Sequence, residues 1–213
     1  MFGPTFIRHM HDYGTTRSQI AAVKVAHSKH ASNNPKALYK QRVTVDEVLS
    51  SRMICHPLSL LDCCVETDNG AAINITSGAR ARDLRHPPVL VRGVVGRCCK
   101  PRSDMHFQHG PISTVAARYA RDRLWSNSGV LPSEIDVTGA YDATTFTALL
   151  QLEDYGFCGK GEGGDYVASG AIELGGTRPN NTSGGQLCEG NTHGVRLVME
   201  NGRELCVGRV DSC

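Results

Sequence analysis

Two short stretches carry side chains whose types and spacing fit acid–base chemistry. The first runs Asn181-Thr-Ser-Gly-Gly-Gln-Leu-Cys-Glu-Gly-Asn-Thr-His193-Gly194, and it sets Asn181, Cys188, Asn191 and His193 among closely spaced glycines. Gly184 and Gly185 let backbone N–H groups approach a ligand, as an anion or oxyanion site requires. A histidine held by such a loop is placed for proton transfer near neutral pH. The competing reading is a glycine-rich connection with a surface histidine. The second stretch, Ile135-Asp-Val-Thr-Gly-Ala-Tyr141-Asp142, ends a strand-like run just before a helical pattern. In α/β folds that is a common place for active-site groups. Its competing reading is a buried tyrosine with a satisfied hydroxyl.

Three other groupings have the right residue types in the wrong setting. Gly159-Lys-Gly-Glu-Gly-Gly164 satisfies G-x-G-x-x-G, but it follows a helical pattern. A dinucleotide fingerprint follows a strand and opens a helix. Cys98, Cys99, His106 and His109 are soft ligand types, yet their spacing matches no zinc pattern and no paired half exists. His9 and His11 alternate beside Asp12 and read as helix-start histidines, buried or capping. No metal site is therefore expected.

The elements that must position these residues are legible in outline. Thr16-Arg-Ser-Gln19 is a capping box opening a helix that Asn33-Asn34-Pro35 ends. Thr44-Val-Asp-Glu47 is a second box, opening a short helix through Val48 and Leu49. After the turn signal Asp68-Asn69-Gly70, residues 71–77 read as a strand, as do 89–95 and 135–138. Pro111 is read as starting a helix through Leu124, and Pro132 to Glu134 as a short turn. Asp142 is read as capping a helix with Phe146, Leu149, Leu150 and Leu152 at helical spacing, ending near Gly156. Strands alternating with helices predict a layered α/β fold, a mixed β-sheet flanked by helices. The charged stretch from Gly78 to Pro88 is the candidate boundary, dividing the chain into 1–87 and 88–213.

Composition excludes several classes. The 213 residues are 40% hydrophobic and 21% charged, an ordinary globular balance that is neither disordered nor collagen-like. No apolar run approaches the roughly 20 residues of a membrane helix, and the start lacks a signal-peptide pattern. Residues 1–106 hold 15 Lys/Arg and 8 Asp/Glu, whereas 107–213 hold 8 and 13. That asymmetry reads as two faces that dock on each other rather than as a nucleic-acid site. Nine cysteines without a C-x-x-C fit free thiols in a reducing cytoplasm.

Taken together, the segments resemble the thiolase superfamily, and most nearly its lipid-transfer or sterol-carrier-type subgroup. His11 to Thr16, Asn34-Pro35, Ser51 to Ile54, Leu61-Asp-Cys-Cys64 and Asp68-Asn-Gly-Ala-Ala72 resemble its middle region and the strand closing its first repeat. Ile135-Asp-Val137, Tyr141-Asp142, the long run from Leu152 to Gly164 and Asn181-Thr-Ser-Gly-Gly185 resemble its second repeat. The resemblance implies an incomplete thiolase-like fold: the second repeat plus the end of the first. It implies a scheme in which a first-repeat cysteine takes an acyl group, a histidine activates it, and a late Cys-x-Gly cysteine shuttles a proton.

The sequence departs from that scheme. It begins beyond the nucleophile segment, and Tyr141-Asp142 stands where the sterol-carrier branch has His-Asp. Asn191 follows Gly190 where Gly-His is usual, and Cys206-Val-Gly208 arrives early. One branch, retro-aldolases that shorten steroid side chains as coenzyme A thioesters with a small OB-fold partner, has tyrosine at the Tyr141 position and the pair His193-Gly194, but it often has a second tyrosine where this chain has Asn191, so half of its signature is present. The resemblance makes Tyr141, Asn191 and His193 the expected catalytic residues, and Asn181, Gly184, Gly185 and Cys188 the expected substrate contacts. The expected activity is acyl transfer on acyl-coenzyme A, with two alternatives: retro-aldol cleavage led by Tyr141, or a non-catalytic acyl-binding or assembly subunit. No cofactor is implied beyond the coenzyme A of the substrate. The implied partners are a second copy, a complementing thiolase subunit, or the OB-fold protein.

Overall fold

The computed structural model describes residues 2–96 and 111–207. Its longest described helix, Arg17–Ser32, begins where local chemistry demands. Helix α1 (Phe2–Tyr13) is followed by α2 (Arg17–Ser32), which opens on the Thr16–Gln19 capping box and closes at Asn33. The Thr44–Glu47 box opens α3 (Val45–Ser50). Strands β1 (Met53–Cys55) and β2 (Leu58–Ser59) form an antiparallel hairpin, the one ladder among the described residues. Then come α4 (Gly78–Ala81), α5 (Ala117–Ser128), α6 (Thr145–Tyr155), α7 (Gly163–Ala168), the single turn α8 (Gly185–Cys188) and α9 (Val195–Val207).

Helix α2 is the central post. It packs against α3 on one side and α6, α7 and α8 on the others. Ile20 and Val23 of α2 meet Phe146, Leu149 and Leu150 of α6 in one buried cluster. Phe6 of α1 joins it, its ring centroid 4.7 Å from that of Phe146. Each such side chain contributes about 1.5–3 kcal/mol by leaving water.

The expected Asp142 cap is corrected: Thr144 caps α6, its side chain accepting from Thr147 N. Asp142 is instead buried two residues earlier. The helix expected from Pro111 begins at Ala117. Its approach is pinned elsewhere, because Val115 N donates to Asp154 Oδ2 at 2.6 Å and Lys160 Nζ donates to the Ser113 carbonyl.

The three expected strands are corrected as well. Residues 71–77 and 89–95 are not laddered, and 135–138 keeps only an isolated parallel bridge between Thr138 and Asn180. A β-branched alternating run states what a sheet would accept, but a strand exists only when a neighbour supplies the ladder. Among the described residues only 179–181 does so: Thr138 N donates to Pro179 O and Asn181 N to Thr138 O, each at 3.0 Å.

The Gly159–Gly164 loop serves the chain itself. Gly161 N and Gly163 N donate to Glu153 Oε1 at 3.1 and 3.0 Å, and Lys160 Nζ lies 3.1 Å from Glu153 Oε2. His9, fully buried on α1, faces the same carboxylate at 3.0 Å. Burial would raise the Glu153 carboxyl, but the His9 hydrogen bond and the Lys160 charge outweigh it and hold it below the ordinary range. The glycines thus wrap an internal anion where a nucleotide fingerprint would present a phosphate cradle. Cys98, Cys99, His106 and His109 lie outside the described residues.

Candidate active site

Tyr141 is placed by clamps on its own backbone and on both neighbours. Asn181 accepts from Ala140 N with Oδ1 and donates to Ala140 O with Nδ2, both at 2.9 Å. Gln151 on α6 accepts from Tyr141 N at 3.0 Å and donates to its carbonyl at 2.7 Å. Asp142 accepts from Gln186 N at 2.9 Å and Leu187 N at 3.2 Å, the first turn of α8. His27 of α2 stands behind, Nε2 3.1 Å from Asn180 Oδ1 and Nδ1 3.0 Å from Asp142 Oδ2, the latter an ion-pair distance without hydrogen-bond alignment. Gly184 and Gly185 take positive φ, and a Cβ on Gly185 would sit 2.2 Å from Asp142 Oδ2. The turn therefore needs glycine so that the carboxylate can reach it.

The segment leading out of the hairpin threads between these loops. Cys64 N donates to Ala143 O at 2.9 Å and Val65 N to Gln186 O at 3.2 Å. Thr67 Oγ1 accepts from Asn191 N at 2.9 Å. Asn191 then points Nδ2 at Cys64 Sγ, 3.6 Å away, and accepts from His193 N with Oδ1 at 3.1 Å. His193 adopts a left-handed φ of 49°, uncommon outside glycine. That turn brings Nδ1 to 3.0 Å from Tyr141 Oη, with the two rings 14° from parallel. Cys64, Asn191, His193 and Tyr141 form one continuous arc of contacts.

Asn191 and His193 of the arc line a cleft of about 640 Å³ between residues 66–71 and 191–195. A second cavity of about 680 Å³ lies beside it, lined in part by Tyr39, Ile54, Leu60, Cys64 and Cys188. Glu66 lines both spaces, whereas Cys64 and Val65 line only the second.

Electrostatics separate the groups. Burial, then Cys64 and Asp142, push the Tyr141 phenol above its ordinary value of 10, so it keeps its proton at neutral pH. A Tyr141 O–H that donates to His193 Nδ1 requires the imidazole tautomer with its hydrogen on Nε2. Burial pushes the Cys63 thiol up to about 11 and Cys158 up to about 12, and it raises Cys64 and Cys188 too. None of these four thiols is the activated thiolate that acyl transfer requires.

The expected catalytic residues Tyr141, Asn191 and His193 are brought together. Asn181 and the Gly184–Gly185 turn lie beneath them and hold Ala140 and Asp142. Cys188 is buried at the edge of the second cavity. Cys206 stands apart, exposed on α9 with its Sγ 3.9 Å from Pro87 O. Sequence reasoning missed the site neighbours Cys64, Thr67 and Gln151 and the supporting His27. Their one signal was the adjacency of Cys63-Cys64 to the Asp68-Asn69-Gly70 turn.

The thiolase C-terminal domain-like family matches residues 101–207. The chain belongs to the thiolase superfamily and carries a C-terminal part of it. It is 43% identical over 201 residues to the 17-hydroxy-3-oxo-4-pregnene-20-carboxyl-CoA lyase of Mycobacterium tuberculosis, covering 93% of this chain and 52% of that protein. It is 41% identical to the steroid side-chain-cleaving aldolase of Thermomonospora curvata, with 91% and 50% covered. Among solved structures it matches the Ltp2-ChsH2(DUF35) aldolase with a TM-score of 0.89 at 36% identity, over 98% of this chain and 56% of that one. The fold is accordingly a partial thiolase-like α/β fold. The chain spans about half the length of the curated relatives it matches.

Proposed function

We propose that the chain contributes the Tyr141–His193 proton-transfer pair to a carbon–carbon lyase acting on β-hydroxyacyl-coenzyme A thioesters with a sterol-type body. The observation that carries this reading is the 3.0 Å contact between Tyr141 Oη and His193 Nδ1 at the cleft. Retro-aldol cleavage needs a base for the β-hydroxyl proton and no covalent nucleophile. Tyr141 Oη accepts that proton while passing its own to His193 Nδ1. The Cα–Cβ bond then breaks, leaving a ketone and an electron pair on Cα that delocalises into the thioester carbonyl. The raised thiols Cys63, Cys64, Cys158 and Cys188 leave the acyl-accepting nucleophile of the first expectation to be supplied from outside these residues. The names of two relatives, a carboxyl-CoA lyase and a side-chain-cleaving aldolase, support the lyase reading.

The partner in this reading is a complementing chain equivalent to the other half of the relatives, with a small OB-fold protein as a further subunit. The six described cysteines are free thiols, which fits the reducing cytoplasm expected from the sequence. No helix among the described residues is long and apolar enough to cross a membrane.

The test is to assay the assembled enzyme with a β-hydroxyacyl-coenzyme A bearing a tertiary alcohol. Formation of a ketone and a shortened acyl-coenzyme A is expected, and Tyr141→Phe should slow it by on the order of 10²-fold or more. An unchanged rate in Tyr141→Phe, or a covalent acyl-enzyme detected by mass, would overturn the proposal.

A further inference from the structure

Retro-aldol cleavage sets a second proton problem that Tyr141 and His193 do not solve. The bond breaks with its electron pair on Cα of the coenzyme A product, and that carbon must gain a proton before the product leaves. Tyr141 and His193 have at that moment just taken a proton from the oxygen side of the scissile bond. A separate acid on the carbon side is needed, protonated at neutral pH and within reach of the cleft.

One acidic group of the arc remains unused. Cys64 lies at the far end from Tyr141, its Sγ 3.6 Å from Asn191 Nδ2 and its backbone fixed to Ala143 O at 2.9 Å. It is partly exposed and lines the second cavity, two positions from Glu66, which lines both that cavity and the cleft. A substrate with its thioester in one space and its apolar body in the other would pass this sulfur. Burial and the Asp142 charge keep the thiol protonated, which makes it a poor nucleophile but an available proton donor. Cys63 lines the same cavity but its Sγ donates to Ser59 O at 3.5 Å, Cys188 is buried, and Cys206 is exposed on α9 against Pro87 O.

We infer that Cys64 is the catalytic acid that protonates Cα of the short acyl-coenzyme A product. The S–H bond breaks, the C–H bond forms with the electron pair released from Cα–Cβ, and the thiolate is left beside Asn191 Nδ2. Asn191 stabilises that transient anion by donating to it. The thiolate regains a proton from solvent, while Tyr141 and His193 release the hydroxyl proton, so the cycle balances without a redox partner. The inference rests on the lyase reading for its biological use, but the step itself can be observed alone. Run in reverse, the same thiolate removes an α-proton from the product.

The experiment incubates the assembled enzyme with propionyl-coenzyme A in D₂O and follows exchange of the α-hydrogens by mass or NMR. Wild type should exchange them. Cys64→Ala and Cys64→Ser should lose exchange by on the order of 10²-fold, because a hydroxyl is a far weaker acid than a thiol. Cys206→Ala should exchange at the wild-type rate. Thermal unfolding of both Cys64 variants, compared with wild type, separates a lost acid from a lost fold. Exchange at the wild-type rate in a folded Cys64→Ala protein would overturn the assignment, as would no exchange by wild type. Exchange that depends on Cys64 without cleavage of any β-hydroxyacyl thioester would retain Cys64 and remove the lyase reading.

Discussion

A phenol and an imidazole 3.0 Å apart make a proton-transfer pair only where the surroundings keep each in the right form. Around Tyr141 the surroundings raise the phenol, so the resting site holds a neutral donor. Elsewhere a histidine is kept neutral for structural ends. His30 lies between loops, its Nδ1 3.2 Å from Asn181 O, and Leu174 N donates to its Nε2 at 3.1 Å. Burial first, then neighbouring His27, push its pKa down from 6.5 to about 4. The unfolded chain takes up this proton near pH 6.5, and the folded one only near 4. The stability tied to neutral His30 is therefore complete above pH 6.5 and is lost as pH falls toward 4, a change of roughly 3 kcal/mol. Urea unfolding from pH 7 to pH 4 should show this slope in wild type and a slope weaker by about one proton in His30→Gln. Parallel pH dependence in the two proteins would assign the acid sensitivity to other groups.

At the scale of elements, the legible parts were those whose signal is local. Both capping boxes, at Thr16 and Thr44, and the apolar spacing of α6 lie within a few residues of what they determine. The Tyr141 and His193 stretches were found by residue type and resemblance. What stayed hidden depends on distant pairing. Cys64 meets Asn191 across 127 positions, and His9 meets Glu153 across 144. The 71–77 and 89–95 runs carry strand composition, but no periodicity can report whether a neighbour exists to ladder them. The Gly184–Gly185 turn is such a joint between distant elements, and it can be tested directly. An alanine at Gly185 would drive its Cβ into Asp142 Oδ2 and Asn181 Nδ2, at 2.2 and 2.7 Å, on a φ of +60°. Gly14 has a similar φ of +74° but open space around it. Gly14→Ala should cost about 1 kcal/mol from backbone strain alone, whereas Gly185→Ala should cost at least twice that by displacing Asp142 from α8. Thermal unfolding of the two variants gives the comparison, and equal losses would show that the Asp142 contact carries no load of its own.

For the molecule as a whole, the decisive feature is apolar side chains on backbone that, among the described residues, no strand ladders. Ile75, Leu90, Val91 and Val94 are 85%, 68%, 69% and 72% exposed on segments that run without a ladder. On α9 the outward residues include Val198 and Leu205, and the helix end reaches Pro87 through Cys206, next to the 89–95 run. Unladdered backbone with apolar side chains is a template for added strands, whether from a proper partner or from another copy. The core around α2 and α6 is complete without these segments, so the chain should fold and yet self-associate. Sedimentation of the isolated chain should show concentration-dependent association. The double substitution Leu90→Lys with Val94→Lys should weaken that association at least tenfold while leaving the unfolding temperature of the α2–α6 core nearly unchanged. The same pair should also weaken capture by a complementing chain, because one row of backbone donors and acceptors would serve both contacts. Association unchanged by the two lysines would locate the sticky surface elsewhere, with the outward face of α9 the next segment to charge.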